Sequence, residues 1–503
     1  MSSRVAVAAC ALVVLFLAGA YLVPDTTGSG PEMDEGAVVA YGSRVLDGAV
    51  PHRDFLTFYG PGSSWFVAGA FAVFGESVGT ERAVGLAHRL VIVLALFLLG
   101  VRLAGLLGGL LAAFVAAVSM GHELIWAYAS YGALAFGLLG TALAAWSATA
   151  RGRAQTIGLA AAGLAGAAAV VVRFDFALAV VLGALALFPL LSSRSRIVYG
   201  GGLLVAGVVY AVHAIVVGSD RIARLAGDLE ASGPGRRLPL PDLTSYPGTL
   251  LSAAVLSSVV FIGFGVVRWR RERADVAAHV LVSVGVFSLA LLPLTLSRAD
   301  APHIRPVALA PLALLPAVGL LLANGALASR TARRVAAGAV ALATLGVVSM
   351  SEDVGLGRIR DTNAARTAYR GFEREETRDS IRAVIARTRE LSRPGESLFV
   401  GPQDLRRTNY GPTYMYFLLR ELEPASHYME MNPGTANREG SGLADELRRA
   451  DWLILTSQWD DWNEPNDSTV NGPSEPNEVV RDDFCLRLEH GAYRLYERCD
   501  RAA

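Results

Sequence analysis

Apolar runs of about twenty residues recur along this chain, and no other feature limits its fold as strongly. A helix crossing a bilayer needs roughly 20 apolar residues, because every backbone hydrogen bond must be made within the segment. Such runs fall near residues 5–23, 84–101, 104–120, 132–150, 156–172, 176–192, 197–217, 249–267, 276–296, 306–325 and 334–350. The composition agrees, since 503 residues that are 53% hydrophobic and 18% charged are too apolar for a soluble chain of this length. The sequence therefore predicts a polytopic α-helical membrane protein with about eleven transmembrane helices. Only three residues separate the runs at 156–172 and 176–192, so one of that pair is expected to be short or tilted. The first run follows Arg4 as a signal peptide would, but it lacks a convincing cleavage site and ten runs follow it, so it reads as an anchor.

Charge is balanced, 45 basic against 45 acidic residues, so no global field draws the chain to nucleic acid or an anionic surface. Every basic residue is Arg. Short loops holding Arg151 and Arg153, Arg194 and Arg196, RWRRER (268–273) and RTARR (330–334) alternate with loops that hold the acids. Placing the Arg-rich loops in the cytoplasm puts the N-terminus inside and residues after 350 outside, in the plasma membrane of a cell with an envelope. Two domains are then expected: a transmembrane domain over 1–350, with a long first external loop at 24–83, and an extracytoplasmic α/β domain over 351–503.

The first loop is too long for a plain turn. EGAVVAYGSRVLDG has helical spacing, with Val38, Tyr41, Val45 and Leu46 near one face and Gly48 as a stop. SSWFVAGAFAVFG (63–75) is apolar but too short to span, and Trp65 and Phe66 suit the headgroup level. Between them PHRDFLTFYGPG has the Pro and Gly of a shaped turn. The loop thus reads as two juxtamembrane helices that hold Asp34, Glu35 and Asp54 near the membrane surface. Acids at a helix start also serve simply to meet the positive end of its dipole.

Taken together, MDEG, VPHRDFLTFYGPG, FAVFG and ER resemble the first external loop of the bacterial GT-C glycosyltransferases, the superfamily of protein O-mannosyltransferases and aminoarabinose transferases, over roughly residues 1–350. The resemblance implies a GT-C-like fold and transfer of a hexosyl or pentosyl group from a polyprenyl-phosphate donor. In that superfamily an acid of the first external loop, often followed by Glu, is the base. The matching residues here are Asp34 and Glu35. Gly36 departs from the usual Ala or aromatic residue, and a glycine loosens a helix start.

Such a transfer needs a carboxylate to take the acceptor hydroxyl's proton, with Asp34 first and Glu35 and Asp54 beside it as the catalytic set. It also needs cations to meet the departing lipid phosphate, a task suited to the planar guanidinium. The substrate-binding candidates are Arg53, Arg82, Arg173, Asp175, Arg298, Asp300, His303 and Arg305; Arg82 and Arg89 enter the second span from outside. Ionisable groups at membrane depth are rare and usually functional. Plain alternatives are that Arg82 snorkels to headgroups, that Arg173 merely bridges Asp175 and that His303 is an ordinary loop residue. One carboxylate with no covalent step implies inversion. No metal or other cofactor is expected, because arginine alone neutralises a monophosphate. The expected partners are the lipid-linked donor, the bilayer, and an envelope glycan, lipoglycan or protein as acceptor.

After residue 350 the chain turns polar. ESLFVGP, ASHYMEM and DWLILTS read as strands, GPTYMYFLLRELEP and GLADELRRA as helices, which suggests a small parallel sheet. CLRLEHGAYRLYERC reads as a hairpin turning at His490-Gly491. Cys485 and Cys499 are then out of register, and a bridge between them needs the chain end to curl back. The Asp460/Asp461 pair reads as solvated acids rather than metal ligands. A multi-pass transporter or lipid flippase for envelope precursors is the other function class, though no internal repeat of the transporter kind is visible.

Overall fold

A computed structural model describes residues 3–27, 30–121, 124–323, 338, 377–408 and 410–501. Among these, eight helices are long and apolar enough to cross a membrane: Val5–Thr26, Val78–Met120, Ala129–Ser147, Gly152–Val172, Ser193–Val217, Tyr246–Arg271, Val276–Ser297 and Ala301–Leu321. The chain is a multi-pass membrane protein. The run Val78–Met120 has 43 residues. At 1.5 Å per residue it would measure about 65 Å, twice the hydrocarbon core. It is broken at Ala104 and at Gly105, whose φ of 73° lies in the left-handed region open to glycine. The run is therefore two helices meeting at that break, in line with the two spans expected at 84–101 and 104–120. The segment expected at 176–192 is the short one: Ala177–Leu187 is α-helical, with a 3-10 turn at each end. The expected span at 334–350 and the RTARR loop lie outside the described residues.

The chain divides into two compact units. One comprises Met1–Thr27, Arg82–Ala211 and Leu240–Thr367; the other comprises Gly28–Glu81, Val212–Pro239 and Ala368–Ala503. In the first, Ala129–Ser147 packs on Gly152–Val172, and Tyr246–Arg271 packs on both Val276–Ala290 and Ala301–Leu321. Small residues fill these helices, as close backbone approach within lipid requires.

In the second unit the loop residues are not separate from the C-terminal ones. Asp34–Leu46 and Pro61–Phe74 form the two expected short helices. Between the apolar runs at 197–217 and 249–267, Ser219–Arg236 is a helix, and its fully buried Asp228 pairs with Arg438 at 2.8 Å. The sheet has five strands: β1 (Ser397–Pro402), β2 (Glu423–Pro424), β3 (Trp452–Thr456), β4 (Phe484–His490) and β5 (Tyr493–Arg498), in the order β2-β1-β3-β5-β4. The expected parallel sheet is present only over β2, β1 and β3; β5 and β4 add to it antiparallel. Helix Arg378–Leu391, which the sequence reading did not include, buries Ile381 and Val384.

Three local expectations are corrected. The strand expected at ASHYMEM is irregular: the Glu446 carboxylate accepts from the backbone N–H of His427 at 3.1 Å and from the Ser426 hydroxyl at 2.6 Å. The helix expected over GPTYMYFLLRELEP is only Met415–Leu418. The hairpin turns at Gly491-Ala492, one residue later than expected, since His490 still pairs with Tyr493. Cys485 and Cys499 are disulfide-bonded, because the chain does curl after β5 into the 3-10 turn Cys499–Arg501.

Gly36 does not loosen its helix. A Cβ there would sit 2.5 Å from the backbone nitrogen of Tyr414, so glycine is what lets the two backbones approach. Replacement Gly36→Ala is expected to cost about 1–3 kcal/mol through overpacking. A melting curve of the full chain in detergent should show a lower Tm; an unchanged Tm would mean that this helix does not dock on Tyr414.

Candidate functional site

Asp34 is the first residue of its helix, with Glu35 next to it and fully buried at 0% exposure. Both carboxylates lie in the first turn, where the positive end of the helix dipole favours negative charge. The turn is anchored from the C-terminal part of the same unit. Glu32 accepts from Gln458 Nε2 at 3.3 Å through its carboxylate, and from Tyr414 N at 3.3 Å through its carbonyl. Met33 N donates to Tyr410 Oη at 3.4 Å. Tyr41, one face further along, donates to Leu56 O at 2.9 Å and stacks on Phe55 with ring centres 4.5 Å apart. Glu32 was visible in the same PEMDEG stretch, but nothing local marks Gln458, Tyr410 or Tyr414 as its neighbours.

Arg53 and Asp54 pair with each other through two hydrogen bonds of 3.0 and 2.8 Å. They line a cavity of about 620 Å³ with Arg44, Arg221, His427 and Glu446, and Asp34 is not among its lining residues. His52, one residue before Arg53, has a φ of 67°. That strained conformation lets its Nδ1 meet His213 Nε2 at 2.9 Å and its Nε2 meet the Tyr59 carbonyl at 3.0 Å.

The remaining candidates belong to the membrane unit. Arg298, Asp300 and His303 form one network. Asp300 caps the helix Ala301–Leu321, accepting from His303 N at 3.2 Å, from His303 Nδ1 at 2.5 Å and from Arg298 Nε at 2.8 Å. The R-x-D-x-x-H spacing is thus the spacing of an N-cap and its third residue. Burial pushes the Asp300 carboxyl up, but the His303 bond and the charges of His303 and Arg298 outweigh it and hold it below its usual range. Arg305 donates to Tyr246 Oη at 3.1 Å.

Arg173 makes a two-pronged pair with Asp175, at 3.0 and 2.6 Å, and also donates to Ser130 Oγ at 2.5 Å. Arg82 and Arg89 do not snorkel outward; each is only 1% exposed. Arg82 donates to the Thr26 carbonyl at 3.0 Å, and Arg89 donates to the Trp126 carbonyl at 3.0 Å while lying 4.2 Å from the Tyr131 ring centre. Tyr128 stands edge-on to both Tyr131 and His303, so residues 124–131 connect Arg89 to the Asp300 network. An arginine this deep is stable only when its donors are met inside the protein.

Comparison with solved structures finds the same fold elsewhere. ArnT from Cupriavidus metallidurans bound to undecaprenyl phosphate superposes with a TM-score of 0.52 at 13% identity, covering 98% of this chain and 97% of that one. Its apo state gives the same TM-score and coverage at 15% identity. The apo oligosaccharyltransferase of Archaeoglobus fulgidus gives a TM-score of 0.51 at 11% identity, over 89% of this chain and 70% of that one. Both enzymes are GT-C glycosyltransferases, and the chain has the GT-C fold expected from its first loop. No protein-family model matches the chain, and no curated protein sequence does.

The buried histidines of the second unit give a pH test. Burial, then the nearby His213, hold His52 down to about 4. Burial, then Arg224 and Arg221, hold His427 down to about 3. An unfolded chain binds these protons first, near pH 6.5, so folding stability is unaffected above that pH and falls as the pH drops from 6.5 towards 4. The Tm of the full chain measured against pH should fall over that window, and less steeply in His427→Gln.

Proposed function

We propose that this chain is a membrane glycosyltransferase that moves a sugar from a polyprenyl-phosphate donor to an acceptor hydroxyl on the extracytoplasmic face of the plasma membrane, with inversion at the anomeric carbon. The observation that carries this is the likeness over nearly the whole chain to ArnT bound to undecaprenyl phosphate. In support, a pair of acids opens the first loop helix, as such a site needs.

In this reading Asp34 takes the proton as the acceptor oxygen attacks, and buried Glu35 sets the orientation of the helix start. The carbon–phosphate oxygen bond breaks on the opposite side, and guanidinium groups meet the charge that develops on the phosphate. Arg82, Arg89, Arg173 and Arg298 are the candidates; each already has a protein partner that fixes its direction, so little reorganisation accompanies the charge shift. The N-terminus is cytoplasmic and the C-terminal α/β region extracytoplasmic, in line with the arginine distribution.

The test is transfer by the full chain in lipid nanodiscs from a panel of undecaprenyl-phosphate-linked pentoses and hexoses. Asp34→Asn is expected to lower kcat by about 100-fold or more, the usual contribution of a positioned base, and the wild-type product should have the inverted anomeric configuration. A variant as fast as the wild type would refute Asp34 as base. Lipid movement between leaflets with no transfer would favour a flippase.

A further inference from the structure

A small pocket of about 140 Å³ lies in the second unit, lined by Pro402, Asp404, Arg407, Tyr410, Trp459 and Asp460. Two aromatic rings line it: Tyr410 and Trp459, with centres 4.8 Å apart. Trp462 backs Tyr410 from outside the pocket, at 5.8 Å between ring centres, and is 46% exposed. Around the rings stand charged groups with unequal commitments. Asp404 is taken by Arg406 and Asn477, each at 2.7 Å. Asp460 makes no side-chain hydrogen bond or ion pair among the described residues, and Arg407, held by Asn463 at one end, has a buried Nε without a hydrogen-bond partner.

We infer that this pocket is a saccharide subsite, in which the Tyr410 and Trp459 rings receive the C–H side of a sugar ring and Asp460 and Arg407 receive its hydroxyl rim. A sugar ring has one weakly polar face of C–H bonds and an edge of hydroxyls that donate and accept. Aromatic faces carry the negative side of their quadrupole and complement the C–H face. A carboxylate only accepts and a guanidinium only donates, so the pair meets both halves of a vicinal diol. Burial, then the charges of Asp404 and Asp461, push the Asp460 carboxyl up, which makes it a stronger acceptor. Neither a lipid tail nor a plain anion fits such a lining: the first would bury these charges unpaired, and the second would meet an unpaired carboxylate.

The pocket is tied to the acid helix. Tyr410 takes the hydrogen bond of Met33 N, and Gln458, the residue before Trp459, reaches Glu32. Tyr493 donates to Gln458 Oε1 at 2.8 Å and shares a hydrogen bond of 3.1 Å with Tyr414, which locks that connection. A sugar held here is held by the same residues that set the start of the helix carrying Asp34. The inference rests on the glycosyl-transfer reading and narrows it: the acceptor presents a saccharide, as an envelope glycan or the glycan part of a lipoglycan does, rather than a bare peptide hydroxyl.

The test uses the full chain in nanodiscs and saturation-transfer NMR with three probes, methyl α-mannopyranoside, methyl β-glucopyranoside and methyl α-arabinofuranoside. At least one probe should show transfer to its ring C–H protons. Trp459→Ala should weaken that binding about tenfold, the scale of a lost aromatic contact, and Asp460→Asn, at an exposed position that leaves packing intact, should weaken it independently. Absence of transfer to all three probes, or undiminished transfer in both variants, overturns the saccharide subsite. Titration of the same wild-type sample with undecaprenyl phosphate separates the two readings. Saccharide binding without lipid-phosphate binding removes the transferase reading and leaves this site standing; the reverse removes the site alone.

Discussion

Two backbone hydrogen bonds join parts of the chain that lie more than 300 positions apart. Tyr414 N donates to Glu32 O, and Leu56 N donates to His427 O. Both are buried contacts between irregular segments, where each main-chain group must find a partner or lose it to desolvation. They make the first loop part of the C-terminal domain's own core: Leu56 belongs to the apolar cluster of Phe399, Leu453, Leu455 and Phe484. The helix that opens with Asp34 and Glu35 is therefore directed by the C-terminal residues as well as by its own sequence. Gly36 is the residue that permits this, because any side chain there would push Tyr414 away.

In the membrane unit the governing cost is that of buried charge. Arg173 and Arg298 pair with acids two residues along the chain, and Arg82 and Arg89 donate to the carbonyls of Thr26 and Trp126. Asp300 accepts from both Arg298 and His303, so that network also shapes the start of its helix.

Much of the architecture was legible because lipid imposes a strong length and polarity rule. The apolar runs at 84–101 and 104–120 correspond to the two helices that meet at Ala104 and Gly105, and the three residues between 156–172 and 176–192 signalled that one of that pair is short. The strands SLFVGP and WLILT were legible from continuous apolar runs. The missing strand at 425–431 was not, because Glu446, which takes the backbone N–H of His427 with its side chain, lies 19 positions away. The fate of Arg53 and Asp54 was hidden for a different reason: the sequence places them in the acid loop, and only the backbone conformation there turns these neighbours onto each other.

What the sequence determined by itself was the sort of environment each segment needs: which stretches tolerate lipid, which acids open a helix, which glycines stand at breaks. These follow from hydrophobicity and backbone preference, which act over neighbouring residues. Only the tertiary structure decided which charges are spent on one another and which segments share a core. Hydrogen bonds and ion pairs are made over about 3 Å in space regardless of distance along the chain, so Glu32 and Gln458, or Leu56 and His427, become neighbours only once the chain has folded.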